Sequence, residues 1–442
     1  MKNSNSIKLS NRLRQVDSCG ISATRKGNIP TFWKSAKGSN ILDVDGNTLI
    51  DCTSCFGVLG IGHSHPVLVD SIIDQVSALS HVMCEINPYE VYLLALEKIK
   101  KAVGRQENSQ VLLTTSGSEA IEVALKLSYA YTKKPGVISF YGAFHGQSLG
   151  ALSVTSHNCF RDPFFPLIPN NVTFVPYPNS YRCNKGNDDE LLKATIDQLN
   201  EIVSGEISGG LPIGSVIVEP MQNASGYIVP PKGFLAQLRK FCDEKNILLI
   251  TDEIFTGFGR CGKWLASDYD GIIADITCVG KIMGGGLPSA ACIASSKIME
   301  AIDYEGLVPL HGSTFQGNPL SCRSIISTIE ILEQESLLQK SFDNGEFLRK
   351  ELSEILKNVD VVGDIRGMGS ASVIEFVSDK SNKERNAPEA IRFNQFLLSN
   401  NIYTLITGVP FGNCVAFCPP FNMPKENFTH IFDICTKYVK TI

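Results

Sequence analysis

The chain has 442 residues, 43% hydrophobic and 19% charged, the profile of a globular protein with a sizeable core and room for two or three domains. Forty Lys and Arg against 45 Asp and Glu leave a net charge of −5, with neither a basic footprint for nucleic acid nor a polybasic run for a membrane surface. No apolar stretch reaches the roughly 18–20 residues of a membrane helix, and the segment from Met1 to Ser10 lacks the apolar core of a signal peptide, so a cytoplasmic location is expected.

Of 14 cysteines, Cys278, Cys292, Cys322 and Cys418 lie in apolar segments and read as free buried thiols. Cys52 and Cys55 form a C-x-x-C pair followed by His63 and His65. Metal binding or redox chemistry is conceivable there. No second ligand pair stands at finger spacing, and Gly57 and Gly60 make the segment a loop, so a turn joining two domains is the expectation.

The first 50 residues read as a short arm and then a small meander, with an Asp-Gly turn inside Asn40 to Asp51. Val67 to Leu79 has apolar residues at helical spacing. From there strands and helices alternate. Val111–Thr115, Gly136–Phe140, Ser215–Glu219, Ile247–Glu253, Ile276–Gly280 and Ala290–Ala294 read as strands. Ser118–Tyr131 and Phe234–Asn246 read as helices. The strands are apolar throughout, as strands buried on both faces are. The alternation predicts an α/β fold with a mostly parallel sheet flanked by helices. After Asn318 and Pro319 one long helix is predicted to about Leu356, then a strand at Val373–Phe376 and a closing helix from Lys425. Both chain ends are expected to form one small α+β domain: residues 1–65 and 325–442, around a large cofactor-binding domain of residues 66–324.

In open α/β folds functional residues gather at the carboxyl ends of strands. Four candidates stand at such ends. Thr115 to Ala120 is a strand-to-helix turn in which Gly117 permits close backbone approach; it suits a phosphate and equally an ordinary helix start. Asp252 is shielded and needs a cationic partner, either a protonated pyridine nitrogen or a nearby Arg or Lys. Glu219 is a second acid. Lys281 lies between Gly280 and Gly284; a desolvated lysine there forms imines with aldehydes, whereas a surface lysine would do nothing. Taken together, phosphate cradle, buried Asp and buried Lys are the demands of one cofactor, pyridoxal 5'-phosphate.

At this point the chain resembles the class III (ω-amino acid type) aminotransferases of the fold type I pyridoxal phosphate enzymes, from Gly38 to about Pro420. The matching segments are Leu42–Gly46, Gly62–Pro66, Ser116–Ala120, Phe144–Gly146, Val218–Gln222, Leu249–Ile254, Thr256–Arg260, Lys281–Gly285, His311–Phe315, Gly317–Pro319 and Asp364–Gly367. The resemblance implies that Lys281 is the Schiff-base lysine and proton carrier and that Asp252 partners the pyridine nitrogen. It implies that Gly117 and Ser118 receive the phosphate and that Phe144 and Ile254 face the ring. Thr314 would reach the phosphate of a neighbouring subunit in a homodimer with shared sites. The substrates would be a small-molecule amino donor and a carbonyl acceptor. Same-fold racemases, epimerases and lyases share these residues, and a non-catalytic protein that keeps the fold is a further reading.

Three positions depart from the family pattern. Gln147 replaces a common Arg, Ala416 stands where an Arg usually precedes the late Pro-rich segment, and Phe255 replaces a common Gln. That late Arg commonly binds a substrate carboxylate and pairs with the acid matching Glu219. With Glu219, Gln147 and Ala416 lining the substrate pocket, the uncompensated carboxylate would be met by solvent, by a proton, by Arg161 or Arg366, or by a cationic substrate such as a polyamine or amino sugar.

Overall fold

A computed structural model describes residues 4–18, 29–104, 108–183, 186–204, 210–303 and 309–441. Seven strands make the central sheet: Ser109–Thr114 (β1), Gly136–Phe140 (β2), Val172–Val175 (β3), Ile213–Val218 (β4), Leu248–Asp252 (β5), Ile276–Val279 (β6) and Ala290–Ser295 (β7). Their order is β1-β7-β6-β5-β4-β2-β3. Every residue of β2 and β5 is buried, which is why these segments are mostly apolar, with Ser139, Thr251 and Asp252 as the polar exceptions. Six strands run the same way, while β7 lies antiparallel between β1 and β6. The expected mostly parallel sheet is thus present with one reversed strand. The carboxyl ends of β1, β2, β4, β5 and β6 consequently open on one edge.

Two helical readings change. The single long helix predicted from Asn318 to Leu356 is two helices, Pro319–Gln334 and Leu337–Leu356, parted at the exposed Ser336 with φ 52°. The break lets the two halves serve different cores. Ile325, Ile329 and Leu332 pack with Ile282, Met283 and Phe421, whereas Leu348, Leu352 and Leu356 pack with Phe376, Phe393 and Phe428. At the other end, the short arm contains a helix, Ser4–Val16. The meander has a third strand, Trp33–Lys37, besides Asn40–Asp43 and Thr48–Asp51. Its last strand pairs in parallel with Ile402–Tyr403. Both chain ends therefore meet in one small sheet. A further antiparallel sheet, built on Val362–Met368 and Ala371–Asp379, is covered by Leu337–Leu356 and the closing helix Lys425–Val439.

Gly345, in the middle of Leu337–Leu356, exists for a close approach. A Cβ there would lie 1.6 Å from the carbonyl oxygen of Gly369, a backbone atom with no room to move. Helix propensity alone predicts that Gly345→Ala stabilises by about 1 kcal/mol. The packing predicts a loss of about 3 kcal/mol or more. Urea melts of the two proteins decide between them, and a variant at least as stable as wild type refutes the packing account.

Candidate active site

The turn after β1 is fixed by its own side chains. Ser116 caps the 16-residue helix Gly117–Thr132 by accepting from the Glu119 N–H. The Glu119 carboxylate reaches back to the N–H and hydroxyl of Thr115, both at 2.7 Å. The helix start, with its unpaired N–H groups, faces a cavity of about 210 Å³ lined by Gly117 and Ser118. A side chain at Gly117 would press on Ile254 at 3.0 Å, and one at Gly146 would meet the Ser118 hydroxyl at 2.2 Å. Backbone therefore fronts the cavity where a phosphate would need it.

Asp252 closes β5 and also lines the cavity, 5% exposed. Its Oδ1 accepts the Ile254 N–H at 3.0 Å, and its Oδ2 lies 2.7 Å from Nδ1 of the buried His145. Nε2 of His145 is buried with no protein partner among the described residues. His145 was visible in the sequence only as the middle of Phe144–Gly146; its role comes from a contact 107 residues away.

Lys281 opens a short helical turn with φ 47°, a left-handed backbone in a residue that is not glycine. Its Nζ enters the cavity 4.7 Å from the centre of the Phe255 ring. Burial holds the amine below the usual lysine range, while Asp252 and Glu219 oppose that shift.

Glu219 follows β4 and lines the same cavity. No arginine among the described residues answers it. Arg161 donates to the carbonyls of Leu152, Ser153 and Thr155, and Arg366 pairs with Asp364 and Glu375. Instead, one oxygen accepts the Phe144 N–H at 3.0 Å and the other the Asn223 N–H at 3.1 Å. Burial, aided by Asp252 and opposed by His145 and these N–H groups, leaves the carboxyl pushed up to about 7.

The cavity thus gathers Gly117, Ser118, Phe144, Asp252, Ile254, Lys281 and Glu219, with His145, Gly146, Asn223 and Phe255 beside them. Three candidates lie elsewhere. Gln147 is exposed, its N–H on the Ser118 hydroxyl at 3.3 Å. Ala416 is sealed in an apolar cluster with Met221, Phe255 and Cys418. Thr314 is exposed and lines a second cavity with Cys84 and Glu85.

The aminotransferase class-III family model matches residues 21–439. The chain belongs to the class III aminotransferases. It is 32% identical to a 4-aminobutyrate aminotransferase of Mycobacterium leprae, over 98% of this chain and 95% of that one. It is also 32% identical to an alanine/serine racemase of Pyrococcus horikoshii, over 97% and 89%. An aminotransferase of Bacillus anthracis shares the fold with a TM-score of 0.90 at 24% identity, all of both chains being covered. The protein is by family a pyridoxal-phosphate-dependent transaminase of fold type I. The cavity suits that cofactor: a helix start for the phosphate, a buried carboxylate for the ring nitrogen and a desolvated amine for the aldehyde.

Glu219 also makes a stability prediction for the cofactor-free enzyme. Its carboxyl goes from an ordinary 4.5 to about 7 on folding. Between those values the folded chain keeps a proton that the unfolded chain releases, so stability falls as pH rises through the window. Glu219→Gln lacks this loss. From about pH 5 to about pH 8 the variant should gain on wild type by up to about 3 kcal/mol, read from urea midpoints. A difference that stays constant with pH removes the argument.

Proposed function

We propose that the protein is an aminotransferase working in two half-reactions, and that at least one substrate is a cationic amine with no carboxylate at the point facing Glu219. The carrying observation is the charge of the cavity wall. Glu219 and Asp252 stand against Lys281, with no arginine among the described lining residues. A substrate carboxylate beside Glu219 would meet a like charge. A second amino group, as in a diamine or an amino sugar, brings the cation that an ionised Glu219 lacks.

Pyridoxal phosphate supplies an aldehyde to take the amino group and a ring to spread the electron pair left on the substrate carbon. Lys281 is assigned as its anchor and as the base whose Nζ moves the proton of that carbon. Asp252, oriented by His145 and the Ile254 N–H, would hold the ring nitrogen protonated. The N–H groups at Gly117 and Ser118 would hold the phosphate, and Phe144 and Ile254 would face the ring.

Racemisation needs the same lysine and aspartate, and a racemase is among the relatives. The reactions part when enzyme meets donor without acceptor. A transaminase releases one carbonyl product per site and stops, whereas a racemase releases none. Across glutamate, alanine, a diamine and an amino sugar, with Lys281→Ala as the blank, a cationic amine should react fastest. Its apparent affinity should rise from about pH 6 to about pH 8 as Glu219 ionises, and Glu219→Gln should lose about 10- to 100-fold of it. Glutamate as the fastest substrate, with Glu219→Gln affecting all amines alike, sinks the assignment.

A homodimer is proposed on the same chain. Beside the exposed Thr314, the side chains of Met83, Ile86 and Phe315 are 59%, 71% and 63% exposed, an apolar group that a partner would cover. Sedimentation should give a dimer, and a fully active monomer contradicts it. Buried free thiols such as Cys278, Cys292, Cys322 and Cys418 support a reducing, cytoplasmic setting.

A further inference from the structure

We propose that Asp51, Cys55 and His63 form a binding site for a zinc-class divalent cation, apart from the cofactor cavity. One carboxylate oxygen, one sulfur and one imidazole nitrogen lie within 4.8 Å of one another. This donor set suits zinc and related thiophilic ions, whereas magnesium and calcium prefer oxygen alone. None of the three residues lines the cavity that holds Lys281.

The surroundings hold each donor in place. Oδ1 of Asp51 is occupied by the Thr53 N–H and hydroxyl, both at 2.7 Å, and by the Ser54 N–H at 3.2 Å. That leaves Oδ2, which lies 2.8 Å from Nε2 of His63. The backbone of His63 is tied to Gly38 by two hydrogen bonds, and Trp33 packs edge-on against its ring. Such outer contacts orient metal ligands. Asp51 and His63 are buried, and the hydrogen bond between them accounts for both without a metal.

The pair does not account for Cys55. Ser54, Cys55 and Phe56 have φ values of 43°, 54° and 61°, three consecutive left-handed residues without a glycine. The outcome of this unfavourable backbone is a sulfur brought up to the Asp51–His63 pair. Cys55 is partly exposed, so an ion and a fourth, water ligand have access. On binding, the thiol releases its proton to solvent, the proton on Nε2 of His63 moves to Nδ1 or to solvent, and the ion comes between Asp51 and His63. Three protein ligands with one open position result.

The site adjoins the reaction centre through its loop. A Cβ at Gly57 would lie 2.7 Å from the ring of Phe255, over which Lys281 sits. An ion on Cys55 thereby stiffens the loop that packs against Phe255.

The test uses cofactor-loaded enzyme freed of metal by chelator dialysis, titrated calorimetrically with Zn2+ and optically with Co2+. One equivalent of either should bind per chain, and Co2+ should show a thiolate-to-metal band in the difference spectrum. Cys55→Ser should abolish the band and weaken Zn2+ by about 10-fold or more. Cys159→Ser, at an exposed thiol elsewhere, should leave both unchanged. Absence of stoichiometric binding, or equal affinity in Cys55→Ser, overturns the proposal.

Discussion

The carboxylates of Asp252 and Glu219 are almost wholly withdrawn from solvent, and a buried charge has to be answered or neutralised. The two are treated differently. Asp252 has an imidazole and one N–H, with the ring nitrogen of the cofactor as its proposed third partner. Glu219 has, among the described residues, two N–H groups, and burial pushes its carboxyl up to about 7. Lys281, between them in charge, stays below the usual lysine range because burial outweighs both acids. The residues concerned follow β2, β4, β5 and β6, so this balance exists only because those strands end on one edge. The sheet order is in that sense an electrostatic requirement as much as a packing one.

Much of this was legible in the sequence, and the reasons are physical. A strand buried on both faces must be largely apolar, so β2, β4, β5 and β6 announce themselves, and Asp252 at the end of β5 and Lys281 just beyond β6 stand out as polar. The direction of a strand leaves no such mark. β7 is as apolar as its neighbours, and nothing in Ala290–Ser295 shows that it runs the other way. The break at Ser336 was hidden because an exposed serine carries no stop signal; only the demand of two separate cores places it. His145 and the N–H partners of Glu219 were hidden for a related reason. Patterns of side chains do not show which backbone groups a fold aims at a carboxylate. Ala416 was read through an absent arginine, whereas the fold closes that position behind Phe255.

The pairing of Ile50 and Asp51 with Ile402 and Tyr403 has a consequence in time. It joins segments some 350 residues apart, a loop closure of high contact order that comes late in folding. During synthesis the meander emerges before the central sheet and its partner strand after it. Until then the edge of Thr48–Asp51 is open, with the N–H groups that later bond the Asn401 and Tyr403 carbonyls unpaired. The loop that packs against Phe255 begins three residues beyond that edge. Its anchor, the Ser54 hydroxyl on the Cys418 carbonyl, also waits for a segment 364 residues further on. A chain interrupted before residue 400 could therefore hold its central sheet and still present an unfinished wall beside Lys281, so that the reaction chamber is finished only when the segment from Ile402 to Cys418 has been made.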